Sequence, residues 1–152
     1  MEYKGEYLFN KKWTGKGYDK NGNIAYELND GKGNIREYYK LNGNIKYEGV
    51  TLNGKRNGKG KEYNKFGRLI FEGEYLNEKR NGKGKEYNDN GFFEGEYLDG
   101  IRNGKGKEYT KYNKLVFEGE FLKGKRNGEG KEYNKEGILI FEGKYLNGKK
   151  NG

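Results

Sequence analysis

The stretch from Lys55 to Lys61 reads KRNGKGK, and the same wording returns at Lys79 to Lys85 and, weakened, at Arg102 to Lys107 and Lys125 to Lys131. Cations repeated in this way could hold a row of anions. Lys55, Arg56, Lys79, Arg80, Arg102, Lys125 and Arg126 are the candidate contacts for phosphoinositide headgroups, phosphatidylserine or nucleic-acid phosphates. Near an anionic membrane each such residue is worth about 1 kcal/mol. The competing reading is that lysines on turns and edges keep one sheet from pairing with another. Glu62, Glu72, Glu74, Glu86, Glu94 and Glu96 lie among these cations and favour the competing reading, because they would repel a polyanion. A nucleic-acid partner is therefore not expected on charge alone.

A second set is aromatic: Phe71, Tyr75, Phe93, Tyr97, Phe117, Phe121, Phe141 and Tyr145. In a single-layer sheet such a stripe is the core, and part of it is expected to stay exposed as a concave groove. A partner peptide or helix could lie along that groove, with tyrosine hydroxyls offering hydrogen bonds. Exposed rings beside cations would also suit a glycan or a single-stranded nucleic acid. Catalytic candidates are few. The chain has no Ser, Cys or His, so no acyl-transfer triad and no zinc site of the usual kind can be assembled. Carboxylate pairs such as Glu72 and Glu74 recur in every repeat, which points to solvated faces rather than an acid-base couple. Gly54 to Lys59 resembles a phosphate loop but lacks the following Ser or Thr, so it reads as a turn. No enzyme activity, metal or cofactor is expected.

What must position these residues is constrained by composition. Of 152 residues, 30% are apolar and 36% charged, the net charge is +9 and the mean hydropathy is −1.35. That balance alone suggests disorder. Fifteen Tyr, eight Phe and one Trp argue for order, since each ring can bury roughly 150 to 250 Å². Disulfides are impossible without Cys, which fits a reducing compartment. The opening residues MEYKGEYLFNKK lack an apolar core, and the longest aliphatic-aromatic run is Ile138 to Phe141, too short for a leader or a membrane span. A cytoplasmic protein is expected, free or attached to a membrane surface.

The positioning elements emerge from an internal repeat. Gly49, Gly73, Gly95, Gly119 and Gly143 follow an aromatic-charged pair at intervals of 24, 22, 24 and 24 residues, and Gly58, Gly82, Gly104, Gly128 and Gly152 run in step. Periods of this size mark repeat arrays. Every interval is even, so an aromatic residue keeps its face of a strand when two residues are lost. Phe71, Gly73 and Tyr75 share one parity, while Ile70, Glu72, Glu74 and Leu76 share the other, which predicts a strand. Asn77 to Asn81 reads as a polar turn, Gly82 to Asn88 as a second strand, and Asp89-Asn90-Gly91 as a turn requiring positive φ. Gly43, Gly67, Gly137 and Asn113 stand where a left-handed residue is needed. Tyr63, Tyr87, Tyr109 and Tyr133 have the opposite parity to the preceding glycines, and either a far-face position or a bulge would account for them.

A lone hairpin is marginal in water, so neighbours must pair edge to edge. The expected fold is all-β: an elongated single-layer antiparallel sheet of tandem β-hairpins, each advancing the sheet by roughly 9.6 Å. Glycines such as Gly73 and Gly84 would leave slots in which neighbouring rings lie flat. The whole of 1–152 reads as one array of about six repeats, irregular or capping over 1–42 and regular over 43–152. The C-terminal Lys149-Lys150-Asn151-Gly152 reads as a half-finished hairpin, either continued in a longer protein or leaving an edge open to another chain.

The pattern aromatic-Glu-Gly-x-aromatic-x-x-Gly-x-x-x-Gly-x-Gly, at Phe117 to Gly130 and, with Thr51 in the second aromatic place, at Tyr47 to Gly60, resembles the MORN (membrane occupation and recognition nexus) repeat. The Lys-Glu-Tyr ending and the 24-residue period are similar to the variant form of that repeat. The resemblance implies a rod-like hairpin array with a non-enzymatic role in joining proteins to one another or to membranes; the partner of this chain could also be a further copy of itself. Protein binding or scaffolding through the aromatic groove and sheet edges is the first expectation. Binding of anionic phospholipid through a basic turn margin is the alternative.

Overall fold

A computed structural model describes residues 2–152, mostly in strands joined by turns and bends, with no helix among them. The chain divides into two compact bodies, one ending at Lys79 and one running from Arg80 to Gly152. In the first, β1 (Glu2–Leu8), β2 (Lys11–Tyr18) and β3 (Ile24–Leu28) form a three-stranded antiparallel sheet. Next, β4 (Gly33–Tyr38), β5 (Ile45–Leu52), β6 (Lys55–Tyr63) and β7 (Leu69–Leu76) pair in sequence order. The second body continues the pattern through β8 (Lys79–Asn88), β9 (Gly91–Leu98), β10 (Ile101–Thr110), β11 (Leu115–Leu122), β12 (Lys125–Tyr133), β13 (Leu139–Leu146) and β14 (Lys149–Lys150). Each sheet is an open antiparallel succession of hairpins, as the alternation of faces predicts.

Two kinds of connection alternate. Hairpins close through two residues in the left-handed region, such as Asn53 and Gly54 at φ 52° and 68° and Asn77 and Glu78 at φ 49° and 76°. This geometry suits the right-handed strand twist. The expected turn at Asn77 to Asn81 is therefore shorter than predicted. Lys79 begins β8, and Arg80 and Asn81 are strand residues. Successive hairpins join through wider loops in which an Asn, Asp or Thr gathers the backbone. Asn64 Oδ1, for example, accepts from the N–H groups of Phe66 and Arg68 at 3.0 Å each. Gly43, Gly67, Gly137 and Asn113 take φ values of 73°, 81°, 84° and 62° in these loops, as expected.

The glycine series have distinct structural roles. Gly58, Gly82, Gly104 and Gly128 adopt φ from 94° to 101°, which a side chain would strain. Gly58, Gly104 and Gly128 sit in bulges where three residues face one, as Asn103 to Lys105 face Glu96 between the pairs Arg102–Tyr97 and Gly106–Gly95. The first series lines up with glycines of the intervening strands: Gly49, Gly60 and Gly73 in the first body, and Gly84, Gly95, Gly106, Gly119, Gly130 and Gly143 in the second. The 22-residue repeat also has a simple origin. Glu62 pairs with Phe71 but Tyr63 with Leu69, leaving Ile70 as a bulge, whereas Tyr87 pairs with Phe92 directly after Glu86 with Phe93. The short repeat lacks that bulged residue and one loop residue.

Candidate functional site

The glycine row is a bed for rings. A Cβ on Gly60 would lie 2.6 Å from Tyr47 Cε2, and one on Gly130 would lie 2.7 Å from Phe117 Cε2 and 3.2 Å from Tyr145 Cδ2. The ring of each first strand thus lies over the glycine pair formed with its own hairpin partner, and a ring of the following hairpin meets it edge-on. Phe93 and Phe121 are 4.9 Å apart at 75°, and Phe117 and Tyr145 are 5.2 Å apart at 84°. Tyr47 and Tyr75 repeat the arrangement at 5.3 Å and 82°. Such T-shaped pairs match the ring quadrupoles and add about 0.5 to 1.5 kcal/mol beyond area burial.

Above the rings lies a roof of arginines. The guanidinium carbons of Arg56, Arg102 and Arg126 stand 4.2, 4.3 and 4.1 Å from the ring centres of Tyr47, Phe93 and Phe117. Each is held by carboxylates. Arg56 Nη2 donates to Glu37 at 2.6 Å, Arg102 Nη2 to Glu86 at 2.6 Å, and Arg126 Nε to Glu108 at 2.9 Å, with a second donation from Arg126 Nη2 to the same oxygen. Arg80 Nη1 meets Glu86 at 3.1 Å. Tyrosine hydroxyls add to the network: Tyr75 donates to Glu62 at 2.6 Å, Tyr97 to Glu86 at 3.0 Å and Tyr145 to Glu132 at 2.8 Å.

These contacts move the titration of the groups involved. Burial, then the hydrogen bond to Glu132, pushes the Tyr145 phenol up to about 12, and burial with the Glu86 charge raises that of Tyr97. Burial works against ionised Glu132, but the bonds from Tyr145 and Lys150 outweigh it and leave its carboxyl below the usual range.

The predicted groups separate in space and in role. The expected open aromatic groove is filled. Phe71, Tyr75, Phe93, Tyr97, Phe117, Phe121 and Tyr145 are all buried, and Phe141 is half-buried under Lys150 Nζ at 4.7 Å. Glycine slots below, perpendicular rings beside and guanidinium planes above together close a single layer. The arginines of the anion-binding set belong to this roof, already matched by carboxylates, whereas Lys55, Lys79 and Lys125 are exposed beside the hairpin turns. Tyr47, fully buried, has the same role as Phe71, and its sequence context Tyr47-Glu48-Gly49 matches the repeated aromatic-Glu-Gly wording.

The other face differs. Lys85, Glu94, Lys107, Glu118, Lys131 and Glu142 alternate across six strands, with Lys107 Nζ 3.4 Å from Glu118 and Lys131 Nζ 3.3 Å from Glu142. Tyr63 and Tyr133 project to this face and donate to Glu48 and Glu118 at 2.7 Å each, which settles their parity. The bond to Glu48, with burial, raises the Tyr63 phenol to about 12. Glu96 Oε2 accepts from the bulged Lys105 N–H at 2.8 Å, so the repeated carboxylates have structural partners here. At the turn margin of the second body Leu98, Ile101, Leu122 and Leu146 are each about half exposed, among Lys123, Lys125 and Lys149. Among the described residues, no group of acidic, His or Cys side chains could hold a metal ion, and no helix is long and apolar enough to cross a membrane.

A family model described as the MORN repeat matches residues 47–65, 71–92, 93–113 and 117–137, more than half of the chain. No curated protein matches it.

Proposed function

Since the chain belongs to the MORN repeat family, we propose that it is a non-enzymatic binding or scaffolding module of the cytoplasm that seats a protein partner on its ring-bearing face. The observation that supports this most is the roof itself. Partly exposed guanidinium and carboxylate groups recur in fixed register, held by a buried aromatic bed, and this provides a preorganised polar surface. The aromatic residues contribute by holding the roof rigid, and the arginines and carboxylates meet the partner. Affinity capture with the intact chain and with the Arg102→Ala/Arg126→Ala variant tests the reading, with circular dichroism verifying that the variant is folded. Partners retained by the wild type and lost by the variant are expected. Identical partner sets would overturn it, and sedimentation shows whether one partner is a second copy.

A second reading is favoured by the turn margin, where half-exposed Leu98, Ile101, Leu122 and Leu146 sit among lysines. Aliphatic side chains beside cations suit the interface of an anionic bilayer. Flotation with phosphatidylserine vesicles at low salt is expected to carry the wild type and to leave Leu98→Asp/Leu122→Asp behind. Wild type remaining with neutral and anionic vesicles alike would remove this reading.

A further inference from the structure

In the first body the succession of hairpins breaks between β3 and β4. Each is the terminal strand of its sheet, and the backbone bonds between them are those at Asn29 and Lys32, both 2.9 Å. Continuing that pairing would set Tyr26 against Ile35, two bulky side chains on the ring-bearing face. Regular hairpins set glycine against glycine at the centre of this face. Leu28, opposite Gly15, and Ile35, opposite Gly49, occupy the glycine-row positions on either side of the break. The strands therefore diverge, and a cleft of about 750 Å³ opens, within the range typical of ligand sites, with Leu28, Ile35 and Thr51 in its lining.

The apex of the wedge is fastened. Gly31 N–H donates to the Trp13 carbonyl at 2.8 Å and its own carbonyl accepts from Gly54 N–H at 3.2 Å, tying the β3–β4 turn to β2 and to the β5–β6 turn. The opening is thus built in. Cations outnumber carboxylates in its lining, Lys11, Lys12, Lys20, Arg36 and Lys40 against Asp19 and Glu37. The carboxylates of the lining are engaged: Asp19 accepts from the N–H groups of Asn21 and Asn23 at 2.8 and 2.9 Å, and Glu37 holds Arg56. Lys11 and Arg36 are paired with Glu78 and Glu48, but Lys20 and Lys40 are exposed and have no ion pair among the described residues.

We propose that this cleft receives an extended acidic segment of a partner protein, added as a strand to the open edge of β4. An unpaired strand edge supplies main-chain hydrogen bonds, and the pleat alternates side chains. Apolar residues of the segment face half-buried Ile35, and its carboxylates meet Lys20 and Lys40. The site shares Glu37 with Arg56 of the roof but contains neither Arg102 nor Arg126, the arginines altered in the capture test, so either can fail without the other.

The test uses the full chain and a fluorescein-labelled peptide alternating Glu and Val, with a Lys-Val peptide as its counterpart. Anisotropy is followed up to about 1 mM peptide, the weak limit of specific binding, and hydrogen exchange is read over Gly33–Tyr38. The acidic peptide is expected to bind and to slow exchange in β4, and Lys20→Glu/Lys40→Glu to weaken it about tenfold. Both substitutions are on exposed side chains, so the fold is retained. No anisotropy change with the acidic peptide would overturn the proposal. So would binding without protection of β4, equal binding of the Lys-Val peptide, or equal binding by the charge-reversed variant.

Discussion

Replacing Gly130 with alanine puts the ring bed to its most direct test. In a strand, Gly→Ala ordinarily stabilises by about 0.5 to 1 kcal/mol, because glycine loses more backbone freedom on folding. Gly130 has no positive φ to strain the new side chain. Its Cβ, however, would stand 2.7 Å from both Cε2 and Cζ of Phe117 and 3.2 Å from Tyr145 Cδ2. Carbon atoms rest at about 3.5 to 4.0 Å, so the Phe117 ring must rise by nearly an ångström. It has no room to do so, with the Tyr145 ring 5.2 Å away at 84° and the Arg126 guanidinium 4.1 Å above. Overpacking of this kind costs about 1 to 3 kcal/mol. After subtracting the backbone gain, the net loss lies between about 0 and 2.5 kcal/mol and centres on about 1 kcal/mol, or a Tm lower by about 2 to 4 °C for a chain of this size. Urea titration of wild type, Gly130→Ala, Phe117→Leu and the double variant measures it. The leucine should cost less in the alanine background than in the wild type, giving a coupling of about 0.5 kcal/mol or more. An unchanged or raised midpoint for Gly130→Ala would show that the ring does not rest on the glycine.

Further expectations rest on the roof and on the tyrosines. Phe121 occupies the position of Tyr97 and Tyr145, whose hydroxyls reach Glu86 and Glu132, so Phe121→Tyr should bond Glu108 and raise stability by about 0.5 to 1.5 kcal/mol in urea unfolding. Arg126→Ala strips the cover from Phe117 and leaves Glu108 without its strongest donor, with an expected loss of about 1 to 3 kcal/mol. Arg126→Lys should restore only part of it, since an ammonium cannot make the planar double contact. Tyr63 and Tyr145 titrate near 12 in the folded chain against 10.0 for a free phenol, so their protonated forms favour folding. That contribution is complete below pH 10 and is lost as pH rises toward 12. Urea midpoints across this window should fall, and fall less for Tyr63→Phe/Tyr145→Phe. Glu132 gives the mirror case. Its lowered pKa stabilises the fold above about 4.5, and the benefit disappears on acidification.

Much of this architecture could be read from residue order, because strand parity is a local rule. Phe71, Gly73 and Tyr75 on one face, the glycines at 43, 67 and 137, and the docking of rings onto Cβ-free backbone all follow from period and side-chain size. What depended on partners distant in sequence was not legible. The span Lys79 to Asn81 reads as a turn because it is polar, yet Arg80 is a strand residue whose guanidinium meets Glu86. The same error hid the closure of the groove, since an arginine assigned to a turn cannot be seen to cover a ring in its own sheet. The cleft at β3 was visible only as part of the irregular span 1–42. That Leu28 fills the row position, so that the sheet parts, required the register of β2 with β3.

The bonds that join one strand of the roof to another run in a direction, whereas Arg80 with Glu86 and Arg102 with Glu108 pair within a single strand. Glu86 accepts from Tyr97 and Arg102, Glu108 from Arg126, and Glu132 from Tyr145, each donor lying later in the chain than its acceptor. Translation proceeds the same way. A hairpin leaving the ribosome therefore finds its acceptor already laid down, and assembly can advance stepwise from the amino-terminal side without waiting for the rest of the chain.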